Sequence, residues 1–234
     1  GLHGHTSVSR HNLTYGMTFN HQTIMERTRE WELRDSAGFT LPSDGQNIRM
    51  IYNLTSRHNL STNRLAFYLS DSYRLNTSAG YFAFNAGLRF SYWDFNKEFL
   101  VSPRANVAFV PERNNSWTFR FATGLYYQQP FYKEFRRPVE DSYGNTIIDL
   151  NSDIKSQQSI HLILGADYTF RMFDRPFKFS AEGYYKKQNK LIPYEIDNLK
   201  IVYQGENLTD GYTTGLDMKL FGQFVPGTDS WISF

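Results

Sequence analysis

Four groupings of residues in this 234-residue sequence could do chemistry. His3, His5 and His11 come first, because neutral imidazoles two apart on a strand share a face and can coordinate a metal. With no cysteine in the chain and no neighbouring carboxylate, that ligand set stays incomplete, and no metal is expected there. Asp44-Gly45 and Glu206-Asn207 offer oxygen ligands but lack the regular spacing of a calcium loop. Ser159 lies near His161, yet no Gly-x-Ser-x-Gly turn presents a nucleophile, so neither an enzyme nor a cofactor is expected. The fourth grouping is Tyr126, Gln128, Gln129, Phe131, Tyr132 and Arg136, joined further along by Tyr194 and Glu195. Aromatic rings beside amide, carboxylate and guanidinium groups suit stacking on, and hydrogen bonding to, a sugar, haem or peptide ligand. The same residues could instead pack a rim and pin a loop. Both readings stand at this point.

The elements that must hold these residues are strands. From Phe82 the even positions are Phe82, Phe84, Ala86, Leu88, Phe90 and Tyr92, with Asn85, Gly87, Arg89 and Ser91 among their odd partners. Trp117 to Tyr127, Ile160 to Phe170, Phe177 to Tyr185 and Tyr212 to Phe224 repeat the pattern, as do Leu65 to Leu75, Ala105 to Phe109 and the start at Leu13. A period of two means one apolar and one polar face, because successive side chains point to opposite sides of a strand. Composition removes other classes. A net charge of +2 is too small for electrostatic binding of nucleic acid. Without cysteine there is no disulfide framework. The longest apolar run, Leu65 to Leu69, falls far short of the ~20 residues of a membrane helix. An aromatic content of 17% supplies enough surface to bury that disorder is not expected.

Connector lengths carry a second signal. Short polar links lie at Asn76–Gly80, Pro111–Ser116, Arg171–Arg175 and Pro226–Ser230. Long ones lie at Asn20–Asn59, Gln129–Gln157 and Gln188–Thr209, with Asp94–Phe99 between. If the strands run up and down in order, all the short turns named first fall on one rim and the others on the opposite rim, as in an outer-membrane barrel. A soluble sandwich would also alternate. Three features favour a transmembrane barrel: stripes that end in aromatics, strands of about 9–11 residues, and a polar face of small residues with single charges. On that reading Arg104, Arg120, Asp167, Glu182, Asp217 and Lys219 face the lumen. The expected fold is all-β, an antiparallel up-and-down transmembrane barrel to which residues 1–234 contribute about eight to nine strands. Trp231 to Phe234 reads as the opening of a further strand.

Several segments carry a family resemblance. Ser102-Pro103-Arg104 leads through a turn to Trp117-Thr118-Phe119-Arg120-Phe121. There follow Ala122 through Phe135, Leu191 through Asn198, and Gly215-Leu216-Asp217. Tyr68 through Leu75 fits the same pattern, with Ser70 where the family usually has Gln. In this order they resemble the barrel of TonB-dependent outer-membrane receptors over about Leu60 to Phe234. The resemblance implies a plugged barrel of about 22 strands, of which this chain supplies later strands and not the N-terminal plug. It implies a location in the bacterial outer membrane and active uptake of a scarce nutrient: siderophore, haem, cobalamin, glycan or peptide. Implied partners are outer-membrane lipid, the TonB energy-coupling complex through the plug-bearing part, and a surface lipoprotein over the loops, with no nucleic acid. The alternatives are a passive porin or structural barrel and, in another class, a soluble β-rich binding module.

Overall fold

The computed structural model describes residues 1–34, 49–142, 146–197 and 200–234. Ten strands follow one antiparallel path: β1 (Leu2–Val8), β2 (His11–Arg34), β3 (Arg49–Thr77), β4 (Gly80–Trp93), β5 (Glu98–Pro111), β6 (Trp117–Gln128), β9 (Gln157–Met172), β10 (Arg175–Leu191), β13 (Thr209–Val225) and β14 (Thr228–Ser233). Between β6 and β9 the chain makes a small hairpin of β7 (Arg136–Glu140) and β8 (Thr146–Leu150). Between β10 and β13 it makes another, of β11 (Tyr194–Asp197) and β12 (Lys200–Tyr203). The strand added to the sequence expectation is β1. Its residues barely alternate in hydropathy, but they pair one by one with β2 from Leu2↔Met17 to Val8↔His11. β1 and β14 end the path, so the sheet is open in this chain.

Turn parity is as the spacing predicts. Residues 9–10, 78–79, 112–116, 173–174 and 226–227 lie on one rim, and the longer connectors lie on the other. The short-turn rim is tightly drawn. Gly80 has φ +147°, and a Cβ there would stand 2.3 Å from the Val110 carbonyl oxygen, so only glycine fits.

Asn20–Asn59 is not the long loop that its sequence suggests. β2 and β3 stay paired from His11↔Tyr73 up to Arg34↔Arg49, leaving residues 35–48, with Asp44 and Gly45, outside the described residues. The cause is physical. Backbone pairing continues here without an apolar face, so hydropathy loses its period while the ladder of hydrogen bonds persists. Gln129–Gln157 and Gln188–Thr209 likewise hold the two hairpins and a 3-10 turn at Tyr132–Phe135.

Register carries the two faces across the sheet. Val107↔Phe121, Phe121↔Leu164 and Leu164↔Gly183 belong to the apolar face, where Phe121 is 38% and Leu164 66% exposed. Arg120, Asp167, Glu182, Asp217 and Lys219 share the polar face, through Arg120↔Gly165, Glu182↔Asp217 and Ser180↔Lys219. Arg104, opposite Gly124, lies on that face too. Asp167 is almost fully buried, 3.0 Å from Arg120 and 3.2 Å from Lys178, and accepts a hydrogen bond from Ser180 Oγ at 2.5 Å. The buried hydrophobic cluster lies elsewhere, at the long-loop rim: Trp93, Phe135, Ile154 and Ile192.

Candidate functional site

Trp93 ends β4 pointing to the polar side, where it is 1% exposed and donates from Nε1 to Thr62 Oγ1 at 3.1 Å. The segment after β6 folds over it. At its start the Phe131 N–H donates to Glu134 Oε2 at 3.0 Å, and Glu134 N–H returns to the Phe131 carbonyl at 2.9 Å. This closes the 3-10 turn that sets Phe135 5.8 Å from the Trp93 ring. Gln157 Nε2 holds the other Glu134 oxygen at 3.1 Å. Burial pushes the Glu134 carboxyl above the usual carboxylate range. Asparagines lock the layer: Asn151 Nδ2 donates to the Gly205 carbonyl at 2.8 Å, and Asn207 Nδ2 to those of Lys155 and Lys190 at 2.9 and 2.7 Å. The two connectors are thereby tied to each other.

Against this layer stands the polar side of the long β2–β3 extension. Tyr132 donates its hydroxyl to Glu26 Oε2 at 2.5 Å, while Arg136 Nη1 lies 2.9 Å from Glu26 Oε1. Burial, with the bond to Glu26 second, raises the Tyr132 phenol well above its ordinary range, so it stays a donor. Beside them opens a cleft of about 620 Å³, lined by Tyr52, Phe131, Lys133, Arg136, Lys200 and Tyr203 among others. Lys200 lies 3.3 Å from Glu30, and Phe131 meets Tyr203 edge-on at 5.3 Å. Burial, reinforced by Glu30, raises the Tyr52 phenol as well. The cleft thus presents ring faces, neutral hydroxyl donors, cations and the Glu30 carboxylate, groups that can hold a polar ligand.

The structure divides the sequence grouping. Phe131 and Arg136 line the cleft, and Tyr132 stands behind it. Tyr194 and Glu195 are exposed on β11, with Tyr194 5.8 Å from Tyr203 and Glu195 accepting from Gln204 at 2.8 Å. Tyr126 and Gln128 are not at the cleft. Tyr126 lies across Gly124 on the polar face of β6, 4.4 Å from the His161 ring and with the Arg104 guanidinium 4.5 Å above it. Gln129 lines a separate cavity of about 220 Å³ with Arg64, Arg89 and Arg104. Sequence reading missed Glu26, Tyr52, Lys200 and Tyr203. No local pattern marks them, since Glu26 and Tyr132 meet across 106 positions.

The other groupings resolve into structure. β1 puts His3 and His5 on one face, whereas His11 turns to the other and bonds Asp71 at 2.7 Å, so the three imidazoles do not converge. No group of three or more metal-ligating side chains occurs among the described residues. Asn207 is the latch described above, and Glu206 lies 3.5 Å from Arg137. His161 Nε2 is 2.7 Å from Ser159 Oγ, but among the described residues no carboxylate orients the ring.

Comparison with known proteins places this architecture. The family model described as TonB dependent receptor-like, beta-barrel matches residues 2–232. The fold is similar to that of the ferric enterobactin receptor PfeA of Pseudomonas aeruginosa, at TM-score 0.61 and 16% identity over 93% of this chain and 32% of that one. It is similar to the outer membrane transporter YddB of Escherichia coli, at TM-score 0.62 and 12% identity over 94% and 29%. The RagAB peptide transporter follows at TM-score 0.53 and 13% identity over 99% and 28%. The chain therefore spans about a third of the length of these structures. No curated protein sequence matches it closely enough to count as a relative.

Proposed function

The chain belongs to the TonB-dependent receptor-like β-barrel family of the outer membrane, and from that premise we propose that it forms part of a receptor importing a scarce nutrient by TonB-dependent active transport. In this reading the apolar face meets lipid and the polar face lines the lumen. The long-loop rim faces the cell exterior, since outer-membrane barrels keep short turns on the periplasmic side. The plug and the segment that contacts TonB belong to parts of a full-length receptor other than residues 1–234, and a surface lipoprotein over the loops is a further candidate partner.

One observation carries the proposal: the cleft of about 620 Å³ at the long-loop rim, built from two tied connectors against β2 and β3. Loops on a rigid scaffold are where recognition concentrates. Its rings, its cations Lys133, Arg136 and Lys200 and the Glu30 carboxylate suit a polar solute carrying charged groups, and a siderophore or peptide is the ligand class we favour. Those are the ligands named for the PfeA and RagAB structures.

Cells carrying the full-length receptor test this with a panel of labelled ferric siderophores and oligopeptides. The expected result is accumulation of one ligand that stops when the proton-motive force is collapsed, while binding at the surface persists. Accumulation that continues unchanged after the collapse would make the protein a passive porin. Failure of the whole panel to bind would remove the receptor reading.

A further inference from the structure

Beneath the Trp93 layer, on the polar face, lies the smaller cavity of about 220 Å³. Three arginines line it, Arg64 from β3, Arg89 from β4 and Arg104 from β5, together with Ser102, Asn20 and Gln129, and among the described residues no Asp or Glu lines it. Strand register explains the gathering. Arg89 pairs with Ser102 and Gly87 with Arg104, so Arg89 and Arg104 are diagonal neighbours, within reach of each other's long side chains. Arg64, opposite Trp93, reaches in from higher on β3.

None of the three forms an ion pair among the described residues, in contrast to Arg120, Arg136 and Arg137. Two lie instead over aromatic rings. The Arg64 guanidinium sits 4.3 Å from the Trp93 ring centre and that of Arg104 4.5 Å from Tyr126. Stacking fixes the plane of a guanidinium and leaves its N–H edge free for a planar or tetrahedral oxyanion. Donors inside also lack acceptors: Arg64 Nε and Gln129 Nε2 are buried without a hydrogen-bond partner. Arg64 is half-buried while Arg89 and Arg104 are open to solvent, so their repulsion is screened, but buried donors left unpaired are costly. That cost is relieved when an oxyanion enters.

We propose that Arg64, Arg89 and Arg104 form an oxyanion site on the polar wall that takes a carboxylate or phosphate group of the transported ligand. The inference rests on the transporter reading and narrows its ligand to the anionic class. Tyr126 gains a role here as the ring that positions Arg104, and Gln129 as a neutral donor to the same anion.

Inorganic phosphate and citrate are the probes, titrated into the purified full-length receptor in detergent, with 31P line broadening and calorimetry as readouts. Wild type is expected to bind both saturably. Arg89→Gln should weaken binding about tenfold or more, the usual scale for a lost charge-assisted hydrogen bond. Arg89→Lys, which keeps the charge but loses the fork, should fall between. Arg113→Gln, an exposed basic residue on the opposite rim, should leave binding intact. Equal loss in Arg113→Gln, or none in Arg89→Gln, would overturn the proposal. So would a wild type that binds neither probe. Uptake that ignores the proton-motive force would sink the transport reading and leave this titration untouched.

Discussion

Tyr92 and Trp93 are neighbours at the top of β4, and they mark the border between two regions built on opposite rules. Below the border apolar side chains point away from the interior of the curved wall, and Tyr92 is 40% exposed on that face. At the border and in the connectors above it a set of apolar side chains turns inward instead, and Trp93 is 1% exposed in a cluster with Phe135, Ile154 and Ile192. Tyr92 and Trp93 belong to the last pairs of the β3–β4 ladder, Leu65↔Tyr92 and Arg64↔Trp93, and so lie on opposite faces. What changes, in the membrane reading, is the solvent. Lipid accepts an apolar face and forces polar groups into the lumen, whereas water above the bilayer drives rings into a conventional core. The lower region is a wall whose residues answer to their parity. The upper region is a small globular layer whose residues answer to their partners.

The strongest test of that contrast is Trp93→Ala. Loss of a buried ring and its bond to Thr62 should cost the outer layer about 3–5 kcal/mol. Hydrogen exchange and proteolysis should show residues 129–156 opening while the heat-modifiable gel shift of the wall persists. Joint loss of both would mean the two regions form one cooperative unit. Leu164→Arg probes the wall instead. A charge facing lipid at mid-depth costs about 2–4 kcal/mol, so assembly into the outer membrane should fall. Thr213→Glu, a charge on the polar face opposite Lys186, should assemble normally. Asp167→Arg is a poor control, because Asp167 anchors Arg120 and Lys178 and its reversal would place like charges together.

A smaller effect separates the latch from the core. Asn207→Ala removes the donors to the Lys155 and Lys190 carbonyls and the acceptor for Lys155 N–H. About 1–3 kcal/mol of local protection should be lost, read as faster cleavage in 192–208 with the Trp93 fluorescence environment unchanged. The smallest effect is one of pH. Burial raises the Glu134 carboxyl above its ordinary 4.5. The folded layer therefore holds a proton that the unfolded segment has released, and its stability falls as pH rises from about 4.5 through the raised value. Glu134→Gln should flatten that dependence in exchange rates of the outer layer. An unchanged slope would assign the pH response to another group.

The wall was largely legible because its two solvents impose a strict period of two. Phe119, Phe121, Leu162 and Leu164 declare one face, and Arg120, Asp167 and Glu182 the other, by alternation alone. The outer layer was legible in its ingredients but not in its arrangement. Phe131, Tyr132 and Arg136 stand out as a cluster, yet nothing near them names Glu26 as the group that fixes two of the three. Tyr194 and Glu195 drew notice, whereas the neighbouring hairpin strand supplied Lys200 and Tyr203 to the cleft. The upper half of β2 and β3 was hidden because the face covered by the connectors mixes polar and apolar residues, Glu26, Tyr52, Leu54 and Ser56, and so has no hydropathic period.

What the sequence by itself determined is the strand order, the alternation of faces and the rim on which the long connectors lie, since each follows from local side-chain polarity and chain length. Tertiary structure alone decided that Trp93 is a core residue, that Tyr126 serves a stacked arginine rather than the cleft, and that Arg64, Arg89 and Arg104 share one cavity. Those outcomes depend on register between strands and on connectors folding back over them. Both are set by pairings between residues far apart in the chain, which no local window of sequence contains.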